Sequence, residues 1–280
     1  MVADCHMHMV LDGVDWKQAI ARHSAAPCEA FIHKTLSRYR ELGYTYLRDG
    51  GDRWGVGAKA RELATEYGIT YRTPLAPLCK VGHYGAFIGR EYENLRHYGE
   101  LVVKTRENGG NFIKIMIAGL MDFDRFGVLT QEELTSEEIR ELIHIAHEEG
   151  MAVMAHANGA ATVCAAAEAG VDSVEHGAYL KEDALRAMKE NGVVWVPTLS
   201  TVGNLRGKGR FSETDVEKIL ESALQNVAAF HAMGGLLAAG TDAGAWAVPH
   251  GSTTEEGYFA MAGVDDSALQ RGLTVIQAKF

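Results

Sequence analysis

The sequence predicts an α/β protein, a (β/α)8 barrel, and three observations carry that reading. Short apolar, β-rich runs alternate with longer helical patterns eight times along 280 residues. No linker or composition break interrupts them, so residues 1–280 read as one barrel domain. No Gly-x-Gly-x-x-Gly follows the first strand, which weakens an open, dinucleotide-binding sheet. Strict alternation implies a parallel sheet, and eight units in this length suit a closed barrel.

The elements follow in order. The first strand runs Val2–His8, and helix is expected near 17–42 with an irregular start around Pro27. Tyr44–Arg48 is the second strand, leading into Asp49-Gly50-Gly51, and residues 56–67 are helical, closed by Gly68. The third strand, Thr70–Pro77, precedes the loop Gly82-His83-Tyr84-Gly85. Helix near 91–108 is closed by Gly109-Gly110, and Phe112–Ile117 is the fourth strand. Thr135-Ser136-Glu137-Glu138 is a capping box. Behind it, Ile139, Leu142, Ile143 and Ala146 share one helix face, closed by Gly150. The remaining strands are Met151–Ala155, Asp172–Glu175, Val193–Pro197 and Leu236–Ala239. Helices near 159–169, 181–190 and 212–233 separate them. A final helix, short for a full eighth unit, is placed between 254 and 278.

Composition narrows the function. Hydrophobic content of 47% and charged content of 23% suit a soluble globular protein with a large core. A net charge of −10 argues against a nucleic-acid binder, which carries a basic face. No apolar run reaches membrane-spanning length, and no basic segment precedes an apolar one as in a signal peptide. Cys5, Cys28, Cys79 and Cys164 form no Cys-x-x-Cys and read as reduced thiols of a cytoplasmic protein. The expected partner is a small-molecule substrate, with no nucleic acid and no membrane, and a homo-oligomer is left open.

Barrel sites lie at the C-terminal ends of the strands, so the residues there decide the chemistry. Strand one ends in His6-Met7-His8, and alternation points both imidazoles the same way, with Cys5 facing elsewhere. His-x-His by itself is weak evidence. Strand four carries Lys114, strand five ends in His156, strand six in His176 and strand eight in Asp242. Together these form a metal-binding set. A lysine inside an apolar strand is costly to bury charged. One reading of Lys114 is a snorkelling or ion-paired side chain. The other is a neutral amine carboxylated by carbon dioxide, giving an anion able to bridge two cations. Asp242, in Gly240-Thr241-Asp242, could instead cap a helix, but its place after strand eight favours a catalytic role. His144 and His147 lie on the capped helix and read as surface residues, and His23, His33 and His97 carry no signal.

This set resembles the amidohydrolase superfamily of metal-dependent hydrolases, in its binuclear, carboxylated-lysine form. The segments most similar to its prolidase and imidazolonepropionase-like branch are Leu47-Arg48-Asp49-Gly50-Gly51, Gly82-His83, Phe112-Ile113-Lys114-Ile115 and Val153-Met154-Ala155-His156. Asp172-Ser173-Val174-Glu175-His176-Gly177, Val196-Pro197-Thr198-Leu199 and Gly240-Thr241-Asp242 add to them. The resemblance runs from His6 to about His250 and implies a TIM barrel. It implies that His6 and His8 hold one divalent metal, His156 and His176 a second, and that carbamylated Lys114 bridges them, with Asp242 contacting the first. Zinc is the expected metal. A metal-bridging hydroxide would cleave an amide, peptide-like or cyclic amide C–N bond, with Asp242 as proton shuttle. His83, Tyr84 and Tyr179, on the loops after strands three and six, are the implied substrate contacts. Relatives usually add a β-sandwich from segments flanking the barrel, and the expected fold lacks it. Alternatives are a lactonase or phosphotriesterase-type hydrolase, a mononuclear deaminase, and a degenerate metal-binding barrel without activity.

Overall fold

The protein is described by a computed structural model covering residues 3–280; Val2, the expected start of the first strand, lies outside the described residues. All named strand pairs are parallel. β1 (Ala3–Met7), β2 (Tyr46–Asp49) and β3 (Thr70–Arg72) form one sheet in that order. The second sheet contains β4 (Leu78–Lys80), β5 (Arg90–Tyr92), β6 (Ile113–Met116), β7 (Val153–Ala157), β8 (Ser173–His176), β9 (Val194–Val196) and β10 (Leu236–Leu237). Its order is β10-β9-β8-β7-β6-β4-β5.

Backbone hydrogen bonds join the two sheets at both seams. Cys5 N donates to Ala239 O at 2.9 Å and His8 N to Ala243 O at 2.7 Å, tying β1 to the chain after β10. At the other seam Asn111 N donates to Thr73 O at 2.9 Å, joining the end of β3 to the start of β6. The ring is therefore β1, β2, β3 with β4, β6, β7, β8, β9 and β10, with β5 added beside β4.

The helices are α1 (Trp16–Arg22), α2 (Glu29–Glu41), α3 (Val56–Ala64), α4 (Leu95–Glu107), α5 (Ser136–Glu148) and α6 (Ala160–Glu168). They continue as α7 (Glu182–Glu190), α8 (Ser200–Gly203), α9 (Glu213–Ala232), α10 (Thr254–Met261) and α11 (Asp266–Lys279). The expected box at Thr135 forms: Glu138 N donates to Thr135 Oγ1 and Thr135 N to Glu138 Oε2. The buried face of α5 is Ile139, Leu142, Ile143 and Ala146. No described helix is long and apolar enough to cross a membrane.

Four expected elements are corrected. The helix over 17–42 is two helices, α1 and α2, because residues 23–28 turn around Pro27, which has no amide hydrogen to donate. The third strand, expected over Thr70–Pro77, is broken into β3 and β4. Pro74 and Pro77 cannot donate to a ladder, and Leu75 between them has φ of +65°. The helix near 91–108 starts only at Leu95, capped by Asn94, after the short strand β5. The final helix is two: α10 ends at Met261, and Asp265 caps α11 by accepting from Ala268 N at 2.8 Å.

α11 seals the end of the barrel opposite the expected site. Its Leu273 and Ile276, with Phe280 after it, pack against Phe112, Met154, Val194 and Val196. Lys279 reaches Asp172, just before β8, at 2.8 Å. The helix lies close to the sheet at Gly272, where an added methyl would stand 2.0 Å from Leu237 O. Gly272→Ala gains about 1 kcal/mol of helix propensity but meets backbone that cannot turn aside. A net loss of about 1–2 kcal/mol is expected, seen as a lower urea midpoint with an unchanged slope. An unchanged or higher midpoint would contradict this seating of α11.

Candidate metal centre

His6 and His8 reach the lumen together, but the strand beneath them is not regular. Between Asp4 and Met7, β1 carries one residue more than β2 beside it. This bulge breaks the alternation. Asp4 bonds to Thr241 Oγ1 at 2.6 Å and Thr241 N at 2.9 Å. His6, within the bulge, and His8, after it, both line a cavity of about 700 Å³. Two glycines make room for them. A methyl at Gly50 would stand 2.1 Å from His8 Cε1, and one at Gly240 would stand 2.8 Å from His6 Cβ.

The same cavity is lined by Lys114 from β6, His156 from β7, His176 from β8 and Asp242 after β10. One nitrogen each of His6 and His8 and an oxygen of Asp242 lie within 4.8 Å of one another. His6 Nε2 stands 3.5 Å and His8 Nε2 3.4 Å from Asp242 Oδ1. The His156 and His176 rings meet edge to face at 4.5 Å between centroids, and His176 lies 5.0 Å from His6.

Burial sets the protonation. Desolvation pushes the His8 and His156 imidazoles down to about 3, with the Lys114 charge adding to the effect. It holds His6 and His176 well below the usual histidine range. Burial thus favours the neutral form of all four rings, which has lone pairs to offer. Desolvation also lowers the Lys114 amine and raises the Asp242 carboxyl, each moderated by the other's charge. Four buried atoms of this cluster find no hydrogen-bond partner: His6 Nε2, His8 Nδ1, Lys114 Nζ and Asp242 Oδ1. Buried polar atoms are nearly always satisfied, so a cluster of orphans marks a place built for something else. Nitrogen and carboxylate donors at this spacing fit a divalent cation.

A layer of support that the sequence alone does not reveal lies beneath the cluster. His6 Nδ1 stands 2.7 Å from Glu175 Oε2, so a proton on Nδ1 leaves the Nε2 lone pair facing the cavity. Glu175 is held in turn by Arg48, whose Nη2 donates to Oε1 at 2.8 Å, and by Ser173 Oγ at 2.6 Å. Arg48 also donates to Cys5 O at 2.6 Å and Ser173 Oγ at 2.9 Å, and its guanidinium lies 4.5 Å from the Phe280 ring. Neither Arg48 nor Glu175 is exposed at all. An arginine and a glutamate within short apolar strands were the available signals. His176 Nδ1 lies 2.7 Å from Thr198 Oγ1, a second such support. Asn158 ties the loops by donating to Gly119 O and accepting from Ala178 N, both at 2.9 Å.

The backbone is strained on this side of the barrel. His176, at the end of β8, and Thr198 and Asp242, after β9 and β10, have φ of +67°, +50° and +55°. Such conformations cost residues with a Cβ energy and cluster where side chains must be aimed.

Of the expected substrate contacts, Tyr84 lines the cavity, its ring 4.8 Å from that of His156. His83 and Tyr179 stand outside the lining, and Tyr179 packs instead against Phe126 at 5.4 Å. The wall above the centre is apolar and aromatic, including Trp16, Phe87, Phe123, Phe211 and Trp246.

Comparison with known proteins fixes the family. The model of the amidohydrolase family matches residues 80–276. The chain belongs to the amidohydrolase family. This family member is 25% identical over 299 residues to ochratoxinase of Aspergillus niger, covering 92% of its own length and 59% of that protein. It thus spans less than two thirds of that relative. An uncharacterized protein of Mycobacterium tuberculosis is 32% identical over 151 residues, 51% of this chain and 38% of that one. Among solved structures, a Xaa-Pro dipeptidase with bound methionine superposes with a TM-score of 0.79 at 22% identity, over 99% of this chain and 75% of that one. The crystal structure of A. niger ochratoxinase gives 0.75 at 23% identity, over 99% and 69%. At such identities these two structures show a shared fold, and the family assignment rests on the family model.

Proposed function

We propose that this amidohydrolase-family protein is a metal-dependent hydrolase of amide, peptide-like or cyclic amide C–N bonds. The observation that carries the reading is the group of nitrogen and carboxylate donors of His6, His8 and Asp242, within 4.8 Å of one another on the wall of a large apolar cavity. The names of its relatives, ochratoxinase and Xaa-Pro dipeptidase, favour an amide or peptide bond over an ester or phosphate.

In this reading His6, His8 and Asp242 hold one divalent ion, and His156 and His176 a second. Lys114, carboxylated at Nζ, would help to hold both. Zinc suits these donors, and manganese, iron and cobalt bind the same types. A divalent ion held there supplies Lewis-acid polarisation of a carbonyl and brings the pKa of water from 15.7 to about 7. The rest falls to the chain. Glu175 keeps the His6 ring in one tautomer and orientation. The aromatic wall excludes water and receives the apolar part of the substrate. The Asp242 carboxylate takes a proton from the attacking water and delivers it to the leaving nitrogen, base first and acid afterwards. Burial favours the neutral Lys114 amine, the form that reacts with carbon dioxide.

Lys114→Ala separates this reading from a one-metal site. Elemental analysis of native protein loaded with zinc or manganese is expected to give two ions per chain, and the variant at most one. A panel of dipeptides, N-acyl amino acids, cyclic amides and lactones should show turnover on the C–N substrates. Two retained ions in the variant would sink the bridging role of Lys114, and turnover confined to lactones would sink the amidase assignment.

A further inference from the structure

Two cations on the cavity wall have no acidic partner. Lys17, in the first turn of α1, and Arg210, in the connection between α8 and α9, both line the cavity. Among the described residues neither has a carboxylate oxygen within 4.0 Å, although the chain carries 37 acidic residues against 27 basic ones. Their nearest acidic neighbours on the wall are occupied elsewhere. Asp15 caps α1 by accepting from Lys17 N at 2.9 Å and Gln18 N at 3.2 Å. Asp242 belongs to the candidate metal centre.

Arg210 is also held in place. Its guanidinium lies 4.5 Å from the Trp246 ring and 5.2 Å from the Phe211 ring. Phe211 is itself set between Phe123 at 5.1 Å and Trp246 at 6.0 Å. Ser212, the next residue, caps α9 and donates from its N to Asp124 Oδ1 at 2.7 Å. Arg210 is exposed, with its guanidinium beside two aromatic rings and no hydrogen-bond partner among the described residues. A planar fork of donors that no protein acceptor fills matches a carboxylate in two parallel hydrogen bonds. Lys17, 5.5 Å from the Trp16 ring, supplies a second and less directional positive charge.

We propose that Arg210 is a specificity-determining residue, and that the cavity selects substrates joining a carboxylate to a large aromatic or aliphatic body. The carboxylate lies on the Arg210 fork, and the body lies on Trp246, Phe211, Phe123 and Phe87. The proposal rests on the hydrolase reading above for turnover, but its binding half stands without it.

The test therefore has two arms on the metal-loaded protein. In the first, 4-phenylbutyrate and its neutral analogue 4-phenylbutanamide are titrated while tryptophan fluorescence or heat is followed. The acid is expected to bind on the order of 10- to 100-fold more tightly, the range for a charged hydrogen-bonded pair. Arg210→Met should collapse that ratio toward one, and Arg210→Lys should keep part of it. In the second arm, N-benzoyl-leucine and N-benzoyl-leucinamide are compared as substrates. The acid should show the higher kcat/KM, with the Arg210→Met defect mainly in KM. Equal binding of the acid and neutral ligands overturns the proposal. So does a preference that survives Arg210→Met, since the carboxylate would then be held at the metal ions. Acid-selective binding lost in Arg210→Met, without turnover of either benzoyl compound, keeps the anion site and counts against the hydrolase reading alone.

Discussion

Asp242→Asn is expected to lower kcat for amide hydrolysis by about 100- to 10,000-fold, the range for losing a positioned acid–base group. Asparagine removes the proton-carrying function and little else. The native residue has φ of +55°, a conformation asparagine tolerates better than most residues with a Cβ. Its backbone N donates to His6 O at 2.6 Å, and that bond does not depend on the side chain. An amide oxygen also remains to face His6 and His8. Metal content and unfolding midpoint should therefore stay near native while turnover falls. Single-turnover kinetics would place the loss in the chemical step, and a kcat within about threefold of native would reject the proton role.

Arg48→Met should be the most destabilising of the single changes considered, by about 3–5 kcal/mol, the cost of breaking a buried ion pair from one side. The pair is fully enclosed, so Glu175 would be left charged, or forced to bind a proton, against the barrel core. The same change releases Cys5 O and Ser173 Oγ from their donor. Denaturant unfolding of metal-stripped protein gives this loss free of metal linkage. Pairing Arg48→Met with Glu175→Gln removes both charges and should recover part of the loss. A double variant no more stable than the single one would mean that the cost is packing around Phe112 and Phe280 rather than unpaired charge.

Much of this architecture was legible because its signals are periodic or stop-marked. The capping box, the apolar face of α5 and the glycines closing helices are local chemistry that tertiary contacts seldom override. The gathering of the candidate metal-binding residues around one cavity was legible for a related reason. Each member sits at or near a strand end, where a barrel has little freedom in the direction a side chain takes. What escaped lies where periodicity is blind. Nothing in the alternation of β1 reveals the bulge that separates Asp4 from His6. The sequence of the third strand stays apolar through 74–77, and the missing amide donors and the positive φ at Leu75 break its ladder. Arg48 and Glu175 lie in segments similar to the family's, yet their pairing spans 127 positions and depends on the closed ring. Loop residues are harder still. His83 and Tyr84 are adjacent, yet only Tyr84 lines the cavity, because the rest of the loop decides which one turns inward.

The positive φ angles at His176, Thr198 and Asp242 bear on how the protein could be made more robust. Left-handed residues with a Cβ are natural targets for stabilisation, since glycine or asparagine there would relieve up to about 1–2 kcal/mol each. Here all three are bound up with the candidate centre: two in the set itself and the third touching His176. A thermostability screen that scored only folding would thus be drawn toward these sites and would erode the aim of the side chains. Selection for heat resistance in this barrel should be directed to its helices and its α11 end, with the strained rim held fixed.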